Sequence, residues 1–319
     1  MICNNGRKFT YVLLVLSIFL CACGRQKEPV PEMETYNNLD NELKKEIFIE
    51  KDSNLQSPAG LVCVDDSIYV VSKGNNCVLK YSTAGAFEAS FGNIGQKEGE
   101  FSKPTAIANY EETIYVADEN DGRIQAFDLE GNFQKLYDIE ALNSRYLSVL
   151  DLEVDKDSIY VSVAGGEKKA LYIYILDKET GEVEKIEKSC MGVLGKDGEQ
   201  QIYFAQAYAY IEEQGYSGYE DGESYVARIS ERKMTKMFQL PDKYSPTDIM
   251  ICNNQIYIFS GALTQVDVFE LDGTYVETIF HEGSSAENRG LGFMAMDAQG
   301  NIYLSDSENH SIYKLEKEQ

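Results

Sequence analysis

A ring of six four-stranded β-blades, a six-bladed β-propeller, is the fold class predicted by this 319-residue sequence, and three observations carry it. The doublet Ile-Tyr recurs as Ile68-Tyr69, Ile114-Tyr115, Ile159-Tyr160, Ile202-Tyr203, Ile256-Tyr257 and Ile302-Tyr303, at spacings of 46, 45, 43, 54 and 46 residues. Around each doublet lie short apolar runs separated by turn signals, a sheet too small to bury its own faces without like neighbours. The sixth repeat stops after its third strand, while an unassigned β-like segment at 46–50, EIFIE, precedes the first. Placed as the outer strand of the last blade, that segment closes the ring and removes an open sheet edge.

The chain begins outside the ring. Arg7 and Lys8 form a positive n-region, and Phe9 to Leu20 is an apolar run too short to span a bilayer and suited to a signal-peptide core. It ends in Leu20-Cys21-Ala22-Cys23, which resembles a bacterial lipobox. That resemblance implies a signal peptide of residues 1–22, cleavage before Cys23 and lipidation of the Cys23 sulfur. The anchor would lie in a bacterial membrane, on the cell surface or the periplasmic face. Residues 23–44 read as a flexible tether, polar and with Pro29 and Pro31, and residues 45–319 as the propeller.

The second repeat, 101–137, is the most regular. AIAN, TIYVAD, RIQAFDL and FQKLY are its strands, and Glu111-Glu112, Asn120-Asp121-Gly122 and Glu130-Gly131-Asn132 its turns. Third strands recur as CVLKYS, LYIYILD, SYVARIS, QVDVFEL and SIYKLE. Fourth strands follow in the first five repeats only. The second repeat also resembles the NHL-repeat family: the linker FGNIGQKEGEFSKP is similar to that family's approach to a blade, and Asp118 to Gln125 to its Asp-x-x-Asn-x-Arg-Ile-Gln turn. Asp306 to Ile312 is a second match and Asn75 to Val78 a partial one. Asp118, Asn120, Asp306 and Asn309 are read as turn-building residues that satisfy local backbone donors.

Composition excludes several function classes. The net charge of −24 becomes −26 once residues 1–22 are removed, which disfavours nucleic acid and anionic lipid headgroups as partners. Cys63, Cys77, Cys190 and Cys252 remain, none at metal-ligand spacing, and Cys63 and Cys252 fall in apolar runs where Cys acts as a small hydrophobe. The two histidines, His281 and His310, lie in unrelated repeats and make no metal constellation. No Ser-His-Asp arrangement or phosphate loop is legible, and Gly92, Gly95 and Gly99 lack the strand-to-helix context of a dinucleotide fingerprint. No cofactor is expected.

Candidate binding residues gather on the face carrying the loops that lead into the inner strands. The fourth repeat holds an insertion at 205–223 with Tyr208, Tyr210, Tyr216 and Tyr219, side chains suited to recognition or, alternatively, to local packing in an extended hairpin. Eight residues before their doublets lie Asp151 and Asp248, which either form a polar ring for a cation or hydroxylated ligand or bond backbone amides of the next blade. Lys103, Arg145 and Arg289 occupy linkers on the same face and could contact an anionic ligand or simply pair with acids. The sequence therefore predicts a membrane-anchored monomer that binds a protein, peptide or glycan through its loop-rich face. The NHL resemblance implies an alternative, a lyase or hydrolase with its site at the channel mouth.

Overall fold

The computed structural model describes residues 38–50, 54–119, 122–139, 142, 147–165, 170–187, 191–206, 210–213, 216–219, 224–241, 244–283 and 290–317. It is a six-bladed β-propeller. The chain opens with β1 (Leu43–Ile49) and then builds the blades in order from the axis outward. Blade 1 is β2 (Pro58–Val64), β3 (Ser67–Ser72), β4 (Cys77–Ser82) and β5 (Phe87–Phe91). Blade 2 is β6 (Pro104–Tyr110), β7 (Thr113–Asp118), β8 (Arg123–Asp128) and β9 (Phe133–Asp138). Blade 3 is β10 (Leu147–Val154), β11 (Ser158–Gly165), β12 (Ala170–Asp177) and β13 (Val183–Glu187). Blade 4 has β14 (Gly192–Lys196) and β15 (Ile202–Gln206), then a separate hairpin of β16 (Tyr210–Glu213) and β17 (Tyr216–Tyr219), then β18 (Tyr225–Ser230) and β19 (Lys233–Gln239). Blade 5 is β20 (Pro246–Cys252), β21 (Gln255–Ser260), β22 (Gln265–Glu270) and β23 (Tyr275–His281). Blade 6 is β24 (Leu291–Met296), β25 (Ile302–Asp306) and β26 (Ser311–Lys317), and its fourth place is taken by β1.

The closing strand lies antiparallel to β26 from Leu43 opposite Lys317 to Ile49 opposite Ile312. It starts three residues earlier than the EIFIE segment suggests, because Lys44 and Lys45 continue the ladder although their side chains are polar. An edge strand needs backbone pairing more than it needs apolar character.

The core is divided into six apolar clusters, one between each pair of neighbouring blades. Alternation along the second strand explains the recurrent doublet. In every blade the Ile packs into the cluster shared with the preceding blade, and the Tyr packs into the cluster shared with the following one. The Tyr keeps a polar tip that needs a partner once buried. In three blades it donates to the acid of the preceding turn: Tyr160 to Asp155 at 2.8 Å, Tyr203 to Asp197 at 3.0 Å and Tyr303 to Asp297 at 2.9 Å.

The NHL-like residues fasten the linker into blade 2. Asp118 is 1% exposed and accepts from the backbone N–H of Ser102 at 2.9 Å and Lys103 at 2.7 Å. Arg123 pairs with Asp118 at 3.2 Å and donates to the carbonyls of Gln96 and Glu100. Gln125 accepts from Gly99 N–H and donates to the Glu100 carbonyl. In blade 6, Asp306 accepts from the N–H of Glu308 and Asn309 and from the Asn309 amide. Asp306 and Asn309 build their turn as expected, whereas Asp118 satisfies linker amides 15 and 16 residues away rather than donors of its own turn; Asn120 lies outside the described residues.

Each inner strand runs from an upper end, where linkers enter, to a lower end, where the first turn follows. β1 runs the other way, so the chain preceding it sits at the lower end. There Asn38 is stitched to β23: it accepts from Thr278 N–H at 2.8 Å and donates to Tyr275 Oη at 3.0 Å, while Asn41 donates to Glu277 at 2.6 Å.

Candidate functional site

The six inner strands enclose a central cavity of about 270 Å³ that takes lining residues from every blade. The inner strand is bulged at equivalent places in blades 1, 2, 3, 5 and 6. Each bulge re-aims the side chains that follow it.

Asp151 and Asp248 follow such bulges and both line this cavity. Asp151 accepts from its neighbour Leu152 N–H at 2.8 Å and, across the blade boundary, from Leu194 N–H at 2.7 Å. Asp248 repeats the arrangement with Ile249 N–H at 2.7 Å and Met294 N–H of blade 6 at 2.5 Å. Each carboxylate is thus a clip between successive inner strands, with both oxygens engaged. Burial holds the Asp248 carboxyl well above the usual carboxylate range, and the nearby Asp151 charge adds to the effect. Gly60, the equivalent residue in blade 1, has no room for this device: a Cβ there would lie 3.1 Å from Ile107 N of blade 2.

A second charged group in the cavity has no counterpart among the candidates read from sequence. Lys196 lies 3.4 Å from Glu153 and donates to the carbonyls of Asn109 at 2.8 Å and Val154 at 2.6 Å. It reaches from blade 4 to blades 2 and 3 along the cavity wall. Burial raises the Glu153 carboxyl above its ordinary range, and Lys196 opposes that rise. One signal was available: Asp151 and Glu153 are two apart on a strand, which puts both acids on one face.

At the upper end, a separate pocket of about 280 Å³ is lined by Leu150, Met191, Gly192, Val193, Pro246, Gly292 and Phe293, with Ser245 and Thr247 as its polar members. Phe293 lies in the walls of both cavities. The Tyr-bearing insertion leaves the ring beside this pocket, because Gln206 at the end of β15 is paired with Gly192. In the hairpin Tyr210 lies opposite Tyr219 and Glu213 opposite Tyr216. Tyr208, Arg145 and Arg289 fall outside the described residues. Lys103 is ion-paired with Glu119 rather than presented alone.

Among the described residues, no three His, Cys, Asp or Glu side chains cluster as metal ligands would. His310 accepts the Ser57 N–H on Nδ1 at 2.8 Å and so ties blade 6 to the approach to blade 1. Cys63, Cys77 and Cys252 are free, half-buried thiols, and burial aided by Asp297 pushes Cys63 up to about 12. Cys190 lies outside the described residues.

Residues 49–189 match the family described as a 6-bladed beta-propeller, DUF5128. Among solved structures, the gluconolactonase XC5397 of Xanthomonas campestris superposes with a TM-score of 0.62 at 13% identity, over 92% of this chain and 96% of that one. A streptogramin B lyase gives 0.57 at 14% identity over 86% and 98% of the two chains. The calcium-binding protein regucalcin of Agrobacterium tumefaciens gives 0.58 at 12% identity over 86% and 94%. At these identities the likeness is one of fold. The Drosophila melanogaster protein brain tumor is 45% identical over 49 residues, 15% of this chain, and the match spans only 5% of that protein's length.

Proposed function

We propose that this protein is an extracytoplasmic binding module, lipid-anchored through Cys23, that takes a protein, peptide or glycan ligand on its upper face. The observation that carries the reading is the contrast between the channel and its upper mouth. The channel's acids are bonded to backbone amides or to Lys196. The mouth carries a mostly apolar pocket, and the insertion leaves the ring after Gln206, which is paired with the pocket residue Gly192. Over-length loops on a repeat scaffold are where recognition is added.

The path of the tether supports the same reading. The chain leaves the ring at the lower end, stitched to blade 5 through Asn38 and Asn41. An anchor some 15 residues further back, at Cys23, then draws the lower end towards the membrane and leaves the upper face turned outward. In a single-membrane bacterium the protein sits on the outer face of the cytoplasmic membrane. In a two-membrane bacterium it goes to the outer membrane, since Gly24 follows Cys23 where a retention signal has Asp.

A second reading is a lyase or hydrolase site in the channel. The raised carboxyls of Asp248 and Glu153 in one cavity favour it, as perturbed acids gather at catalytic sites. Affinity capture from native envelope, compared between wild type and the Tyr208, Tyr210, Tyr216 and Tyr219 to Ala variant, tests the binding reading. Loss of a specific partner with unchanged thermal melting is expected; retention of every partner by the folded variant removes the hairpin from the proposal. Acyl-chain labelling that survives in Cys23→Ala would overturn the anchor.

A further inference from the structure

We propose that the wall of the central cavity between blades 5 and 6 is a site for one soft monovalent cation, Cu(I) or Ag(I), held by the thioethers of Met250 and Met296 and the thiolate of Cys252. The site is independent of the upper face and of what binds there.

Neighbouring inner strands meet in a repeated way, and the boundary between blades 3 and 4 displays it. Glu153 and Lys196 each lie six residues before their Ile-Tyr doublet. Glu153 is opposite Tyr160 and Lys196 is opposite Ile202, and both of those neighbours pack into the cluster between blades 3 and 4. Residues opposite one another in an antiparallel pair share a face of the sheet. The two charged side chains therefore point into the same gap, and they meet there at 3.4 Å.

Met250 and Met296 hold the same two places at the boundary between blades 5 and 6. Each again lies six residues before its doublet. Met250 is opposite Tyr257 and Met296 is opposite Ile302, and all four pack into the cluster between blades 5 and 6. The Asp248 bond to Met294 N–H repeats the Asp151 bond to Leu194 N–H, so the two boundaries also share their backbone arrangement. Two thioethers thus converge where the other boundary has an ion pair. Cys252 is two residues beyond Met250 on β20, which puts its thiol on the same face. Ile249 and Ile251, on the opposite face, are buried between blades 4 and 5. Met250, Met296 and Cys252 are all half-buried and all line the cavity, so an ion in the channel can reach their sulfurs.

The donor set selects the ion. Thioether and thiolate sulfurs are soft and favour Cu(I) over Mg²⁺, Ca²⁺ or Mn²⁺, which take oxygen ligands. The oxygens along this wall are already engaged: Asp248 accepts from two backbone amides, and Asp297 accepts from Asn301 and Tyr303. When the ion binds, the Cys252 S–H proton leaves to solvent and the sulfur bonds to the metal. The thiolate then cancels the single charge of the ion, and a neutral unit remains in the half-buried wall. A divalent ion in the same place would leave a net charge there, which burial penalises.

The full-length chain, with carbon-13 in its methionine methyl groups, is titrated with Ag(I) in the absence of oxygen. Ag(I) is expected to move the two methyl signals that are missing from Met250→Leu and Met296→Leu, a response that ions held by other thiols do not produce. Affinity for Cu(I) is measured against a chromophoric chelator in a background with the other six Cys replaced by Ser. There the double variant Met250→Leu, Met296→Leu and the variant Cys252→Ser each weaken binding about tenfold or more, with the thermal melt of the metal-free protein unchanged. Both methyl signals staying in place, or undiminished binding by the folded double variant, overturns the site. Loss of binding in the folded six-Ser background overturns Cys252 as the thiolate, and displacement of Ag(I) by an equal concentration of Mg²⁺ or Ca²⁺ overturns the soft ion.

Discussion

Replacing Asp248 by Ala tests whether the channel acids are clips between blades. The substitution strips the acceptor from Ile249 N–H within blade 5 and from Met294 N–H in blade 6. An orphaned buried amide costs about 1–3 kcal/mol. Both amides border the central cavity, where water can replace part of the lost bonding, so the expected loss is about 2–4 kcal/mol. That is a large share of the ~5–15 kcal/mol that holds a domain together. Asp151→Ala releases Leu194 and Leu152 in the same way and loses a similar amount. The two carboxylates repel each other, and each single replacement already relieves that repulsion. The double variant can relieve it only once, so it loses more than the sum of the singles wherever both acids are ionised. Urea unfolding followed by circular dichroism measures all four proteins. The pH profile gives an independent sign. An unfolded Asp titrates near ~4, and folded Asp248 titrates higher. Its contribution is therefore complete below about pH 4 and is lost as pH rises through the raised value, and Asp248→Asn flattens that decline. Single replacements that cost nothing would refute the clip.

Two further outcomes follow from the fold. Asp118→Ala removes the carboxylate that neutralises the buried Arg123 and frees two linker amides, so it loses about 3–5 kcal/mol, while Asp306→Ala only undoes its own turn and loses about 1–2 kcal/mol in the same urea assay; equal losses would remove the clamp from the account. Deleting residues 38–49 takes away the strand paired with β26 and the buried Ile49, with a fall in Tm of about 10 °C or more and self-association through the uncovered edge seen by light scattering; an unchanged Tm would mean the ring does not need its closure.

Part of the candidate site is legible in the sequence. The insertion at 205–223 shows as the single long spacing in the Ile-Tyr series, and Asp151 and Asp248 show as polar residues at a fixed distance before their doublets. What their carboxylates bond to is not legible, since Leu194 is 43 residues from Asp151 and Met294 is 46 from Asp248. Lys196 reaches past blade 3 to blade 2 and Phe293 packs against blade 1 at the other end of the chain, and no local pattern marks either. The docking of Asn38 on β23 joins residues more than 230 apart.

The sequence by itself determined the number of blades, their strand order and the means of closure. Those depend on short-range physics: alternation with period two, turn chemistry, and a repeat too small to bury its own faces. Tertiary structure alone decided which end of the ring is apolar and open, which of its acids are already bonded, and where the tether leaves. These are consequences of bringing six inner strands to one axis, where a bulge, a missing Cβ at Gly60 or one long side chain from Lys196 changes what a neighbouring blade can reach.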